Sequence, residues 1–349
     1  MRSHSLIIIL SQIASTSAFT VTSKPHISVV ANTHYSPSTF PRISTKNTEL
    51  RLMPTAVNAI RGGCQSKVLQ TLASSLRSGP YGVLSLFTYA YLINLPLTLY
   101  RQAYSFSVGY GLSIFSMAIA CALSFRPNVP SCVTKLASAD PSFLLVSAAA
   151  FYGLRLGLFL LIREMTVPSK AKVLREMDTA PRLKRVILSA NVSLFYALLT
   201  GPIMYALRTP AAAGNKLALG GASLAWFGAG LEAITDLQKW VFNRGLKVEE
   251  EGDNKVFNGP TGWAYSVVRH PNYLGEVLFW TGIFVGGIPS FGRDYVAWIG
   301  SALGLSGIWA IMTGATKRLE GKQNESYKGQ EKYESWIKKT RYPLIPFLG

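Results

Sequence analysis

Residues 266–276 read SVVRHPNYLGE and join a polar loop to an apolar run. They carry a guanidinium (Arg269), an imidazole (His270), an amide (Asn272), a phenol (Tyr273) and a carboxylate (Glu276). His270 is one of four histidines, and the others (His4, His26, His34) lie in an N-terminal leader. A rigid donor fork suits a phosphate, and this density of polar groups at a membrane boundary reads as a polar site rather than a solvated face. One histidine without cysteine or spaced acidic partners does not make a metal site, so none is expected. Upstream, Glu232 and Asp236 are four residues apart and share a face if their segment is helical. Ionisable groups at the end of a membrane helix are expensive and point to an inward-facing site. The plain alternative is a helix end at the headgroups, with Lys239 satisfying Asp236.

These groups need elements to position them, and the chain supplies apolar runs. Its 349 residues are 49% hydrophobic, with a mean hydropathy of +0.24. Seven runs, near 81–100, 106–125, 142–162, 186–207, 216–235, 273–289 and 295–314, approach the length of a membrane helix, about 20 residues. The expected fold is all-α: a polytopic membrane bundle of about seven transmembrane helices over residues 81–349. Glycines and prolines inside the runs suit close helix packing. Among them, Gly228-Ala229-Gly230-Leu231-Glu232-Ala233 matches a dinucleotide-binding GxGxxA pattern. That pattern works only between a strand and a helix, so here it reads as helix packing.

The net charge of +18 sits mostly in loops, and no basic stripe with interleaved aromatics points to nucleic acid. The loops 163–185 and 236–272 and the C-terminal tail hold most of the basic residues, which by the positive-inside rule places the C-terminus on the cytosolic or stromal side. The three cysteines (Cys64, Cys121, Cys132) lack metal or redox spacing. Residues 1–18 read as a signal peptide and 19–63 as a disordered, basic, Ser/Thr/Pro-rich transit-like leader. The Ser17-Ala18-Phe19 junction resembles bipartite plastid presequences, so a plastid membrane is expected, with the endoplasmic reticulum as the alternative. The turn Asn258-Gly259-Pro260-Thr261-Gly262 resets the chain before Trp263 and Tyr265. The tail, from Lys317-Arg318-Leu319-Glu320 to Arg341-Tyr342-Pro343, is expected to pack back under the bundle.

Four segments together resemble the C-terminal domain of the steroid 5-alpha-reductase family, in the branch related to 3-oxo-5-alpha-steroid 4-dehydrogenases. They are Phe151-Tyr152-Gly153-Leu154-Arg155-Leu156, Leu231 to Gln238, Gly262 to Glu276, and Arg318 through Tyr333 to Pro346. The resemblance covers roughly residues 150–349. It implies an NADPH-dependent membrane reductase that saturates an activated carbon–carbon double bond in a lipophilic steroid-, sterol- or terpenoid-like substrate. It implies that Asp236, Asn272 and Glu276 border the cofactor, and that Arg269, His270, Tyr273 and Arg318 contact its phosphates or ring. Tyr265 and Gln238 are further cofactor candidates. The proton donor is unassigned, because residues 81–150 carry no matching motif; Tyr152, Tyr196 and Tyr205 are the phenols at hand. A competing reading is an S-adenosylmethionine-dependent methyltransferase of the isoprenylcysteine carboxyl or phospholipid type, which shares an RHPxYxG-like string. A third is a non-catalytic lipid-binding membrane protein.

Overall fold

The structure, a computed structural model, describes residues 67–79, 82–125, 140–209, 215–245 and 256–346. The signal peptide, the leader, Cys64, Cys132, Arg126 and Lys135 lie outside the described residues. The helices are α1 (Lys67–Arg77), α2 (Gly82–Tyr100), α3 (Val108–Phe125), α4 (Pro141–Thr166), α5 (Pro168–Glu176), α6 (Arg182–Arg208), α7 (Lys216–Gly245), α8 (Pro271–Gly287), α9 (Tyr295–Tyr327) and α10 (Glu331–Lys339). Short 3₁₀ turns at Gln102–Phe106, Trp263–Ser266 and Ile288–Ser290 join them. Among the described residues the only β-type pairing is an isolated parallel bridge between Val268 and Tyr342.

Every apolar run becomes a helix. Six of these helices are long and apolar enough to cross a membrane, and the protein is an integral membrane helix bundle. The helix from the sixth run, α8, has 17 residues and extends into the 3₁₀ turn that follows. Local chemistry sets several starts. Asp140 caps α4, accepting from the Ser142 backbone N–H ahead of Pro141 at the first turn. Asp294 caps α9 in the same way, through the N–H groups of Val296 and Ala297. Pro271 opens α8, where its missing N–H costs nothing.

Lipid tails are as apolar as leucine, so helix association here depends on close packing rather than on expelling water. The α7–α8 pair shows how small residues do this. A Cβ on Gly221 would lie 2.2 Å from the Gly286 backbone N, and one on Gly228 would lie 2.4 Å from that of Phe279. One on Gly275 would lie 2.7 Å from the Glu232 N. Gly228 thus packs, as its place in an apolar run implies, whereas Gly230 faces open space. A second contact of this kind joins α3 and α4, where a Cβ on Gly111 would lie 2.4 Å from Gly157 N. The first zipper sets Glu232 and Asp236 beside Asn272 and Glu276, and the second sets Tyr110 beside Tyr152.

Gly275→Val should therefore force two backbones apart, with a loss of about 1–3 kcal/mol or more. Gly230→Ala, with nothing within 4 Å of the new Cβ, should be neutral or stabilising by up to about 1 kcal/mol. Thermal unfolding in detergent compares the two, and equal melting temperatures would refute the zipper.

Candidate functional site

A cavity of about 570 Å³ lies at the end of the bundle where the long polar segments gather. This is in the ~300–1,000 Å³ range of small-molecule sites. Helical periodicity explains its wall. On α7 the residues that reach it are Glu232, Asp236, Lys239 and Trp240, one face at helical spacing. Helix α8 contributes Asn272, Tyr273 and Glu276 from its first two turns, and α4 contributes Leu156, Phe159, Leu160 and Arg163. The remaining wall is mostly apolar: Phe106, Val192, Phe195, Ile308, Ile311 and Met312, with Tyr110 and Tyr196.

Two polar networks border it. In the first, Arg155 of α4 reaches Asp236 Oδ2 at 2.9 Å and Glu232 Oε1 at 3.0 Å. Asn272 Nδ2 donates to the other Asp236 oxygen at 3.4 Å. Glu232 and Asp236 do share a face, but their common partner is Arg155 rather than Lys239. Paired buried charges are tolerated where lone ones are not. In the second network the Tyr110 hydroxyl is the hub. It donates to Glu276 Oε1 at 2.9 Å, accepts from Trp280 Nε1 at 2.7 Å and lies 3.3 Å from the Tyr152 hydroxyl. This chain of groups can hold or pass a proton at the cavity wall.

Of the residues singled out from the sequence, Asp236, Asn272, Tyr273, Glu276 and Tyr196 line the cavity. The Tyr196 hydroxyl is committed to the Ser105 backbone oxygen at 2.6 Å. Tyr152 is fully buried behind Tyr110, its ring 4.0 Å from that of Phe279 between centroids. Tyr205 stands apart from this wall, edge-on to Phe291 with the Arg208 guanidinium over its ring. Gln238 is half-buried, and its Oε1 has no hydrogen-bond partner. Tyr265 donates to the Thr235 backbone oxygen at 3.1 Å.

Arg269 and His270 do different work from the cavity residues. Arg269 Nη2 meets Glu320 Oε2 at 2.7 Å, while its Nη1 donates to the backbone oxygens of Thr340 and Arg341 at 2.7 and 2.9 Å. The buried His270 donates through Nε2 to Glu320 Oε1 at 2.6 Å. Burial pushes this imidazole below the ordinary histidine value, against the opposing pull of Glu320, so it is neutral at pH 7. Arg269 and His270 also take up the tail backbone, their N–H groups donating to Tyr342 and Pro343. The tail does pack back, through an aromatic cluster of Phe257, Tyr265, Tyr333 and Trp336. It docks on the 257–270 segment, and Leu319 is the most C-terminal cavity residue. Arg318 is exposed.

Sequence reasoning missed Tyr110, Arg155, Arg163 and Lys239 as site residues. Arg155 had a usable signal, a cation inside an apolar run. Tyr110 had none, because a tyrosine among glycines and aliphatics reads as packing until its partners are known.

No curated protein and no solved structure matches the chain. One family model does, over residues 113–340, a stretch that holds both carboxylates of α7, the RHPNYLGE segment and the Glu320 latch. The chain therefore belongs to the family described as "Protein of unknown function (DUF1295)".

Proposed function

We propose that this protein is a membrane-embedded, NADPH-dependent reductase of an activated carbon–carbon double bond in a lipophilic, steroid-, sterol- or terpenoid-like substrate. The observation that carries this reading is one cavity wall with two characters. Asp236, Asn272 and Glu276 stand on one side, and an aliphatic and aromatic surface continues from them around Tyr110 and Tyr196. The resemblance of the RHPNYLGE and Leu231–Gln238 segments to steroid 5-alpha-reductases supports the same assignment. The donor set fits a nicotinamide, whose carboxamide needs both a donor and an acceptor. Asn272 and Glu276 offer both within one helical turn.

When bound, NADPH supplies hydride to the electron-poor carbon of the substrate. The chain's residues then handle the charge that develops on the substrate oxygen. Tyr110 holds the proton for that oxygen. Trp280 Nε1, 2.7 Å away, stays as a donor to the phenolate that results. Glu276, 2.9 Å away on the other side, accepts the Tyr110 O–H and holds the phenol in place until the transfer; the phenolate then regains a proton from solvent. The apolar walls exclude water from the reacting carbons and accept the hydrocarbon body. By the positive-inside rule the basic loops, and the cavity end they surround, face the cytosol or stroma. The leader directs the protein to a plastid membrane, or otherwise to the endoplasmic reticulum.

The purified protein in a neutral detergent should be thermally stabilised by NADPH. The gain is about 2.7 kcal/mol at about a hundred times Kd. Glu276→Ala should remove most of that gain. Stabilisation by S-adenosylmethionine alone would sink the reductase reading in favour of a methyltransferase. Stabilisation by neither would support a non-catalytic lipid-binding protein.

A further inference from the structure

Two cations on the cavity wall have no role in either polar network. Arg163 lies in the last turn of α4 and Lys239 in α7, one turn beyond Asp236, and both face the cavity. They lie close enough to feel each other's charge. Neither makes an ion pair with a carboxylate among the described residues. The nearest acid, Asp236, is already held by Arg155 through one oxygen and by Asn272 through the other. Glu232 also belongs to Arg155, and Glu276 to Tyr110. The Arg163 guanidinium rests over the Phe159 ring, 5.7 Å from its centroid, which keeps it against the wall. Two neighbouring cations at the edge of the cavity, whose one nearby acid is Asp236 and already engaged by Arg155 and Asn272, suit an anion.

We infer that Arg163 and Lys239 form a phosphate-binding subsite at the polar end of this cavity. A guanidinium gives two parallel donors to a phosphate, and an ammonium adds a movable point charge on its other side. Arg269, the arginine that the sequence nominates for this work, spends its donors on Glu320 and on the tail backbone. The phosphate can come from a dinucleotide cofactor, in line with the proposed reductase, or from a lipid headgroup whose chain lies along Phe195 and Ile311. The chemistry of the subsite is the same in both cases.

The test uses the full-length protein in phosphate-free buffer and neutral detergent, with NADPH and dodecyl phosphate as separate probes and dodecanol as the uncharged control. Arg163→Gln and Lys239→Gln should each weaken the phosphate probe that binds by about tenfold or more. The exchange Arg163→Lys with Lys239→Arg keeps both charges and should retain most of the affinity. Each glutamine variant should also keep or raise the melting temperature of the ligand-free protein, since it removes one of two half-buried neighbouring like charges. That readout rules out loss of binding through misfolding. Weakened NADPH binding with no dodecyl phosphate binding assigns the subsite to the cofactor. Loss of dodecyl phosphate binding alone, with no binding of NADPH by the native protein, keeps the subsite and overturns the reductase reading. NADPH binding with native affinity in both glutamine variants overturns the subsite and leaves the reductase reading standing. Binding of neither phosphate probe by the native protein overturns the subsite outright.

Discussion

Tyr110→Phe is expected to lower turnover of an enone lipid by roughly 10²–10⁴-fold, the usual contribution of a positioned general acid. The substitution keeps the ring that lies 4.8 Å from Tyr196 and deletes only the hydroxyl. That hydroxyl is the single point where Glu276, Trp280 and Tyr152 converge. NADPH affinity should change little, because no cofactor contact is assigned to Tyr110. The loss should therefore appear in kcat rather than in cofactor binding. Removing the hydroxyl also leaves the buried Trp280 N–H without its acceptor, at a cost of about 1–3 kcal/mol, so turnover is compared well below the melting transition. The measurement is NADPH oxidation with a lipophilic enone in the assay. A variant that retains more than about a tenth of native turnover would remove Tyr110 from the acid role. Tyr152→Phe provides the contrast: Tyr152 is one step farther from the cavity and should cost less.

The second large effect is expected at Arg155. Replacing it with alanine strands Glu232 and Asp236 inside the bundle with no cation in contact. Breaking a buried pair in this way costs about 3–5 kcal/mol. The further substitutions Glu232→Gln and Asp236→Asn in the Arg155→Ala background should recover most of that loss, because the destabilisation comes from unpaired charge rather than from lost packing. Denaturation of the two variants in detergent decides the point. If the neutralised triple variant is as unstable as Arg155→Ala alone, Arg155 acts through packing and the charge argument fails. The triple variant should still bind NADPH poorly, since it lacks the Asp236 carboxylate proposed to border the cofactor.

Three of the proposed site residues, Asp236, Asn272 and Glu276, were legible in the chain before any coordinates, for a physical reason. Ionisable and amide groups at the edge of an apolar run have few reasons to be there. Their spacing also places them on the inner faces of two successive helices. Of the two α7 glycines legible as packing residues, Gly228 is one by the short distance its Cβ would meet, whereas Gly230 faces open space. Arg269 illustrates the limit. Its type suits a phosphate equally well whether it faces a ligand or a carboxylate. Nothing near it in sequence reveals that Glu320, 51 residues away, occupies its donors.

Length, hydropathy and residue spacing by themselves determined the membrane bundle, its helices and the segments that carry polar chemistry. These properties are local: a helix needs only its own residues to satisfy its backbone in lipid. Only the tertiary structure decided which polar groups belong together. Tyr110 and Glu276 stand 166 residues apart, and Arg155 and Asp236 stand 81 apart. Partners at that distance are chosen by how closely glycine-bearing helices can approach. That choice separates Arg269, which holds the tail, from Arg163 and Lys239, which face the cavity.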